Sequence, residues 1–483
     1  MTGMVHPESV AEQSASPGPS PRIWPVVLAA CAGQFLVVLD VSVVNVALPS
    51  MRTDLGLSAV GLQWVLSAYA IAFAGFMPLG GRAADLFGRK RMFLLGLGLF
   101  IVASVVGGLA QEGRQLVAGR AAQGLGAAIL APATLTIVTS AVPAGPARTR
   151  VIGTWTAVGA AGGAAGGLVG GVLVDLLSWR WVLLINVPVG VLILAGASLW
   201  LRESRTATGR RLDLPGAVLV TGGLAAVAYG VVQTEEAGWG AAETCVPLLG
   251  GLALLGVFLA VEARATAPLV PLRVFRSRAV SAANVAIMLC GSASFSTWFF
   301  MTVYAQNILG YTPLQAGLAL VPSSVSVIVG SKLAPRLMPA TGARNLAVIG
   351  AVVAAAGFGW QSTMTADGTF LGIILGPGIL MMTGIGLLST PLATLATSSA
   401  APGEAGLVSG LVNTSRTMGG ALGLAVLATV AAARTGGATS PRALTEGYAL
   451  VFRTGAGVLL AAALFMLFCL PKPERAPVPA PAA

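Results

Sequence analysis

The sequence predicts an all-α polytopic membrane protein with fourteen transmembrane helices, and three observations carry that expectation. Of the 483 residues, 56% are hydrophobic and only 9% are charged, which is too apolar and too charge-poor for a water-soluble chain. Apolar runs near the ~20 residues a bilayer crossing needs recur fourteen times between residues 24 and 470. Charge is also distributed by topology. If both ends of the chain are cytoplasmic, twenty basic residues fall in the tails and inner connections and six in the outer ones, with Arg120 and Arg416 inside spans completing the 28. That is the positive-inside pattern, and a missed or false span would scramble it.

In chain order, residues 1–22 are polar and rich in Pro and Ser, the composition of a disordered cytoplasmic tail. The lone histidine, His6, sits there. The run at 24–48 is too long for a signal-peptide core and reads as a retained first span. Further spans are expected near 59–79, 92–110, 115–139, 150–174, 181–201, 214–232, 244–262, 279–303, 315–334, 345–362, 369–391, 405–431 and 449–470. A faint repeat relates Gly81–Arg91 to Gly330–Arg344, each with a glycine, basic residues and a second glycine. The repeat divides the chain into a six-helix half at 23–201, a cytoplasmic linker at 202–213, two inserted helices at 214–262, a cytoplasmic loop at 263–278, a second six-helix half at 279–470 and a Pro-rich tail at 471–483. Two halves with a site between them are a common transporter plan.

The fifth span, within GTWTAVGAAGGAAGGLVGG (Gly153–Gly171), carries glycines at helical spacing. Gly159, Gly163, Gly167 and Gly171 form one row, and Gly162, Gly166 and Gly170 form a second beside it. In water each interior glycine costs a helix ~0.8–1 kcal/mol relative to Ala. In lipid the backbone must satisfy itself, so the helix forms and offers a bare flank for another helix.

Three charges lie well inside spans: Asp40, Arg120 and Arg416. An intramembrane charge costs at least ~2.5–3.5 kcal/mol at a helix centre, so such groups pair or line a cavity. Burial disfavours the charged form of Asp40, which suits it to take up and release a proton. The alternative is a carboxyl held permanently by neighbours such as Ser42 or Asn45. Arg120 stays protonated and offers five donors. Whether it meets Asp40 is not readable from the sequence, and no partner for Arg416 is evident.

The charge of +11 is accounted for by topology, with no aromatic-basic interleaving that would suggest nucleic acid. Cys31, Cys245, Cys290 and Cys469 lie in or beside apolar runs without paired or metal-like spacing. No metal and no cofactor is expected.

These residues resemble the major facilitator superfamily, in its fourteen-span drug/proton antiporter branch, over nearly all of 24–470. LDVSVVNVALP (Leu39–Pro49) is similar to that branch's first-helix motif. GRAADLFGRK resembles the inner-loop motif, with Gly81, Asp85, Gly88 and Arg89 in register. RAAQGLGAA (Arg120–Ala128) resembles the arginine-containing motif, and Gly153, Gly162, Gly166, Gly170 and Gly171 match the antiporter motif. WRWVLLINVPVG (Trp179–Gly190), LGYTPLQAGLALVP (Leu309–Pro322) and GLVSGLVNTSRTMGGALG (Gly406–Gly423) extend the similarity into both halves. Gly167 stands where the antiporter motif usually has proline, and Leu86 where the inner-loop motif often has arginine.

The resemblance implies a major facilitator fold of two six-helix halves with two inserted helices. It implies Arg120 facing a central cavity, an inner-loop latch that breaks and re-forms during alternating access, and a glycine face on span 5 that packs against the other half near the outer surface. Asp40 and Arg120 become the expected proton-coupling pair. Gln34, Asn45, Gln123, Trp155, Asn284, Trp298 and Arg416 are candidates for the substrate cavity, along with Trp64, Phe299 and Phe300. The expected function is proton-coupled efflux of hydrophobic or amphipathic drugs by a monomer in the bacterial plasma membrane. Two alternatives stand beside it, export of one self-made metabolite and, more remotely, a membrane-embedded lipid- or acyl-transfer enzyme. The enzyme would need a nucleophile, metal ligands or paired acids, and no span holds a His or an acid pair. No GxxxxGK[ST] stretch occurs to power transport with ATP.

Overall fold

Helices account for all fourteen expected crossings in the computed structural model, which describes residues 23–142, 146–204, 213–265, 268, 272–397, 405–438 and 440–471. Both tails therefore lie outside the described residues. The first half holds α1 (Ile23–Leu55), α2 (Ala59–Phe87), α3 (Arg89–Gly108), α4 (Gly113–Ala141), α5 (Pro146–Leu176), α6 (Arg180–Leu184) and α7 (Asn186–Trp200). Then come α8 (Leu214–Ala237) and α9 (Ala242–Arg264), followed by α10 (Arg278–Asn307), α11 (Pro313–Thr341) and α12 (Ala343–Gln361). The chain closes with α13 (Gly376–Thr397), α14 (Ala405–Thr435) and α15 (Pro441–Cys469).

Local chemistry explains where these helices start and stop. Ser58 caps α2 by accepting from the Gly61 N–H at 3.0 Å. α11 opens on a capping box in which Thr312 and Gln315 serve each other's backbone, with Pro313 at the first helical position. The sixth span crosses as one helical run, Arg180–Trp200, in which Ile185 keeps helical dihedrals between α6 and α7 and Pro188 has no N–H to offer the Leu184 carbonyl. One feature departs from expectation. The stretch Gly81–Arg91 is helix on both sides of Gly88 alone, since α2 runs on to Phe87. Gly88 (φ +108°) links α2 to α3, and Gly342 (φ +78°) links α11 to α12. Both connectors are single residues in conformations that disfavour a side chain, so the repeat read from the two stretches reappears as matching geometry.

Within the first half, α1 packs on α5, and α4 packs on α2 and α3. Within the second, α13 packs on α11 and α12, and α10 on α14. α8 and α9 form a hairpin, and α8 also touches both α2 and α14. The halves meet chiefly through α5 with α11 and α2 with α14. The connections at Gly88 and Gly342, with Arg89, Lys90, Arg91 and Arg344 beside them and Arg202, Arg264, Arg273, Arg276 and Arg278 at neighbouring helix ends, define a basic end of the molecule. At the opposite end the Gln306 amide donates to the Val46 carbonyl at 2.8 Å, and the Leu314 N–H donates to Asp175 at 3.3 Å. Nearer the basic end Asn413 approaches Met77 sulfur at 4.0 Å. Among the described residues the two hydrogen bonds from Gln306 and Leu314 tie the halves at the end away from the basic connections.

Candidate functional site

Asp40 lies mid-helix in α1 with a fully buried carboxylate, and three side chains from two other helices donate to it. Arg120 Nη1 reaches Oδ2 at 2.6 Å, while Gln123 Nε2 and Asn186 Nδ2 reach Oδ1 at 3.1 and 2.7 Å. Arg120 and Gln123 stand one turn apart on α4 and so point the same way. Arg120 donates further to the Val65 carbonyl at 3.2 Å and to Gln123 Oε1 at 2.9 Å, and its guanidinium lies 4.4 Å from the centre of the Tyr69 ring. Ser104 Oγ accepts from Gln123 at 2.7 Å and from Asn186 at 3.4 Å while donating to the Phe100 carbonyl. The network spans α1, α2, α3, α4 and α7.

The expected pair of Asp40 and Arg120 is therefore brought together, and Gln123 belongs to it. The partners weighed for a permanently held Asp40 point elsewhere: Ser42 donates to the Gly163 carbonyl at 2.7 Å and Asn45 to the Val41 carbonyl at 2.9 Å. Sequence reasoning missed Asn186, Ser104 and Tyr69. Asn186 had a readable signal, a lone amide two residues before Pro188 in an apolar run. Deleting one partner of such a buried ion pair costs ~3–5 kcal/mol, because the other charge is left uncompensated. Protonating Asp40 removes the same compensation from Arg120, so a proton here and the helix arrangement around it are energetically linked.

Arg416 is in a different place. It lies on α14, donates to Asn413 Oδ1 at 2.7 Å, and meets no carboxylate among the described residues. Its side chain is exposed. Helical spacing puts Asn413, Arg416 and Gly420 on one face. Asn413 faces Met77 of α2, and a β-carbon on Gly420 would meet the Phe295 ring of α10 at 2.5 Å. Arg416 therefore faces the space between the halves.

The remaining cavity candidates are scattered. Asn284 is buried inside the second half, donating to the Val280 carbonyl and accepting from Ser415. Trp155 donates to Thr134 at 3.0 Å inside the first half. Trp298 packs against the core of the second half, as do the buried Phe299 and Phe300. Trp64 packs near Tyr229 of α8. Gln34 lies beside Gly159 of α5.

The two glycine rows of α5 meet different neighbours. β-carbons at Gly162 and Gly170 would stand 2.8 and 2.9 Å from the carbonyl oxygens of Phe35 and Val43, and one at Gly166 would collide with Ser42. That row packs on α1 within its own half, contrary to the expectation that the glycine face meets the other half. In the adjoining row Gly159 and Gly163 face Gln34 and Val38 of α1, and Gly167 and Gly171 make the expected contact: a β-carbon on Gly171 would lie 2.5 Å from Leu314 Cα, and Gly167 faces Gly317. Gly153 lies in α5, and its packing falls outside the described residues.

In the inner-loop motif, Asp85 pairs with Arg89 one turn on at 3.6 Å, and Gly81 has only Pro132 nearby at 3.5 Å. A β-carbon on Gly88 would collide with the Glu203 carboxylate. Glu203 accepts from the backbone N–H groups of Lys90 and Arg91, each at 3.2 Å, so it caps the exposed start of α3. No motif in the sequence announced Glu203.

Residues 30–424 match the family model of the Major Facilitator Superfamily. The chain is 48% identical to the cephamycin export protein CmcT of Amycolatopsis lactamdurans over 454 residues, 93% of each chain. It is 40% identical to the puromycin resistance protein pur8 of Streptomyces alboniger, across 94% of this chain and 92% of that one. A bacterial homologue of the human lysosomal transporter Spinster, solved inward-facing and unoccupied, superposes with a TM-score of 0.70 at 18% identity, covering 94% of this chain and 98% of that one. With its fourteen membrane-capable helices in two bundles, the chain belongs to the Major Facilitator Superfamily.

Proposed function

We propose that this chain is a secondary active exporter that releases an antibiotic-like small molecule from the cell as protons enter, without chemically converting its cargo. The observation that carries the reading is the sealed Asp40–Arg120 pair. Asp40 is fully buried with Arg120 at 2.6 Å, and the halves are hydrogen-bonded to each other at the end opposite the basic connections. A proton arriving at Asp40 frees Arg120 and loosens α1 from α4, which gives protonation a route to favour the alternative arrangement. Each ligand shifts such an equilibrium only by its differential affinity for the two arrangements.

On this reading the basic end is cytoplasmic, both chain termini lie there, and the protein acts as a monomer in the bacterial plasma membrane. The two halves at 23–201 and 279–470 rock about the inserted helices. Gly81, Asp85, Gly88 and Arg89 form the latch at the cytoplasmic end. The α5 glycine rows, Gly153 included, provide tight packing that prevents proton leak. Gln34, Asn45 and Arg416 line the cargo path, with Gln123, Trp155, Asn284 and Trp298 supporting its walls.

Acid-loaded inverted membrane vesicles test the proposal. Addition of a cephamycin, puromycin or ethidium should release protons from wild-type vesicles, and Asp40→Asn at equal expression should release none. Equal release by both would remove Asp40 from the coupling path. The names of the two relatives favour a second reading, export of one dedicated antibiotic. A response to one compound of that panel and no other would select it.

A further inference from the structure

Between the halves lies a cation that meets no acid among the described residues, and this bears on the cargo. Two spans bring arginines to the interior. Arg120 is neutralised by Asp40 at 2.6 Å, and that pair is sealed from the cavity, with side-chain exposures of 1% and 0%. Arg416 has an amide partner alone, the Asn413 oxygen at 2.7 Å, and meets no carboxylate among the described residues. It is exposed and set on the α14 face that looks between α2 and α10. A guanidinium within a membrane span and without a carboxylate beside it attracts an anion. Asn413 takes one donor of the fork and leaves the rest with no protein acceptor among the described residues, a chemistry suited to a carboxylate.

We infer that the exported molecule is an amphipathic anion whose carboxylate docks on Arg416, with the apolar part of the cargo lying against the cavity wall that includes Phe295 and Met77. This rests on the transport reading above and narrows its substrate class, away from lipophilic cations. An electrical consequence follows. One proton entering for one monoanion leaving moves two positive charges inward, so export is driven by membrane potential as well as by the pH gradient. One proton exchanged for one monovalent cation would be electrically silent.

The test uses the full-length protein in acid-loaded inverted vesicles, with three probes: the monocarboxylate cephalosporin cephalothin, its neutral methyl ester, and ethidium. Cephalothin should accumulate and the ester should not, and a lumen-positive potential should speed cephalothin uptake. Arg416→Gln should slow that uptake about tenfold or more, the scale of one charge-assisted hydrogen bond. Arg416→Lys, which keeps the charge, should retain part of it. Uptake of ethidium or the ester in preference to cephalothin would overturn the anion inference while leaving proton-driven export standing, and so would equal cephalothin uptake by wild type and Arg416→Gln. Cephalothin uptake that needs Arg416 but persists in Asp40→Asn would support the inference and overturn the coupling role instead. Movement of none of the three would overturn both.

Discussion

Gly317 of α11 sits so close to Gly167 of α5 that a β-carbon on Gly317 would run into the Gly167 carbonyl oxygen. On the alternating-access reading proposed above, the contact belongs to the arrangement closed at the end opposite the basic loops. Gly317→Ala should therefore burden this arrangement and spare the other. Overpacking of this kind costs ~1–3 kcal/mol, a shift of roughly 5- to 150-fold in the equilibrium between them. A cysteine placed at Ser50, with the four native cysteines replaced, should react faster with a membrane-impermeant thiol reagent when Gly317 is Ala. Unchanged labelling would mean that α5 and α11 are not the gate.

Asp175 accepts from the Leu314 N–H across the same seam, at the start of α11. Asp175→Asn removes the charge from that helix start at a cost of ~0.3–1 kcal/mol. The same labelling assay should rise in the same direction as for Gly317→Ala, by a smaller factor. A larger effect than Gly317→Ala would point to the charge, and not the glycine contact, as the main closure.

Asn186 donates to Asp40 at 2.7 Å from the first residue of α7. Asn186→Ala loses a hydrogen bond to a charged group, ~1.5–3 kcal/mol, and should lower the melting temperature of the purified protein. Asn186→Asp sets a second carboxylate beside Asp40 with Arg120 shared between them, so it should melt lower still. If the Asp variant melts above the Ala variant, Asp40 is not held as an anion in the resting protein.

Glu203 and Gly88 test the linker's hold on α3. Glu203→Ala should cost ~0.5–2 kcal/mol, the usual loss of a helix cap. Gly88→Ala should cost more, because its φ of +108° disfavours any side chain and the new methyl would strike the Glu203 carboxylate. The double variant should recover part of the collision and none of the backbone strain. Additive losses in thermal melts would show that Glu203 moves aside freely.

The fourteen crossings were legible because lipid demands long apolar runs and the basic residues keep count of them. Asp40 and Arg120 were legible because charge inside a span is rare. The rest depended on which helices are neighbours. Ser104 looks like any serine bonded to the carbonyl four residues back, which it also is, at 2.7 Å. Helical periodicity separated the two glycine rows of α5 and gave no hint that Gly167 and Gly171 alone face α11 while the other glycines of the two rows face α1. Glu203 reaches Lys90 across 113 residues, beyond any local pattern.

The inserted helix α8 rests on α2 and α14 together: Thr221 fills the space over Gly75 of α2, and the Thr429 hydroxyl of α14 reaches toward the Val231 carbonyl at 3.5 Å. The α5–α11 seam is joined on its inner side by α1, and the inserted helix α8 packs on the opposite flank. One flank of the molecule is thus backed by protein, and the other is left to the acyl chains around it. When the halves tilt, the first must slide along a solid rail while the second only displaces lipid. Bilayer composition should then be felt on one side of the transporter, and the motion should be a lopsided hinge about the α8 flank instead of an even rocking.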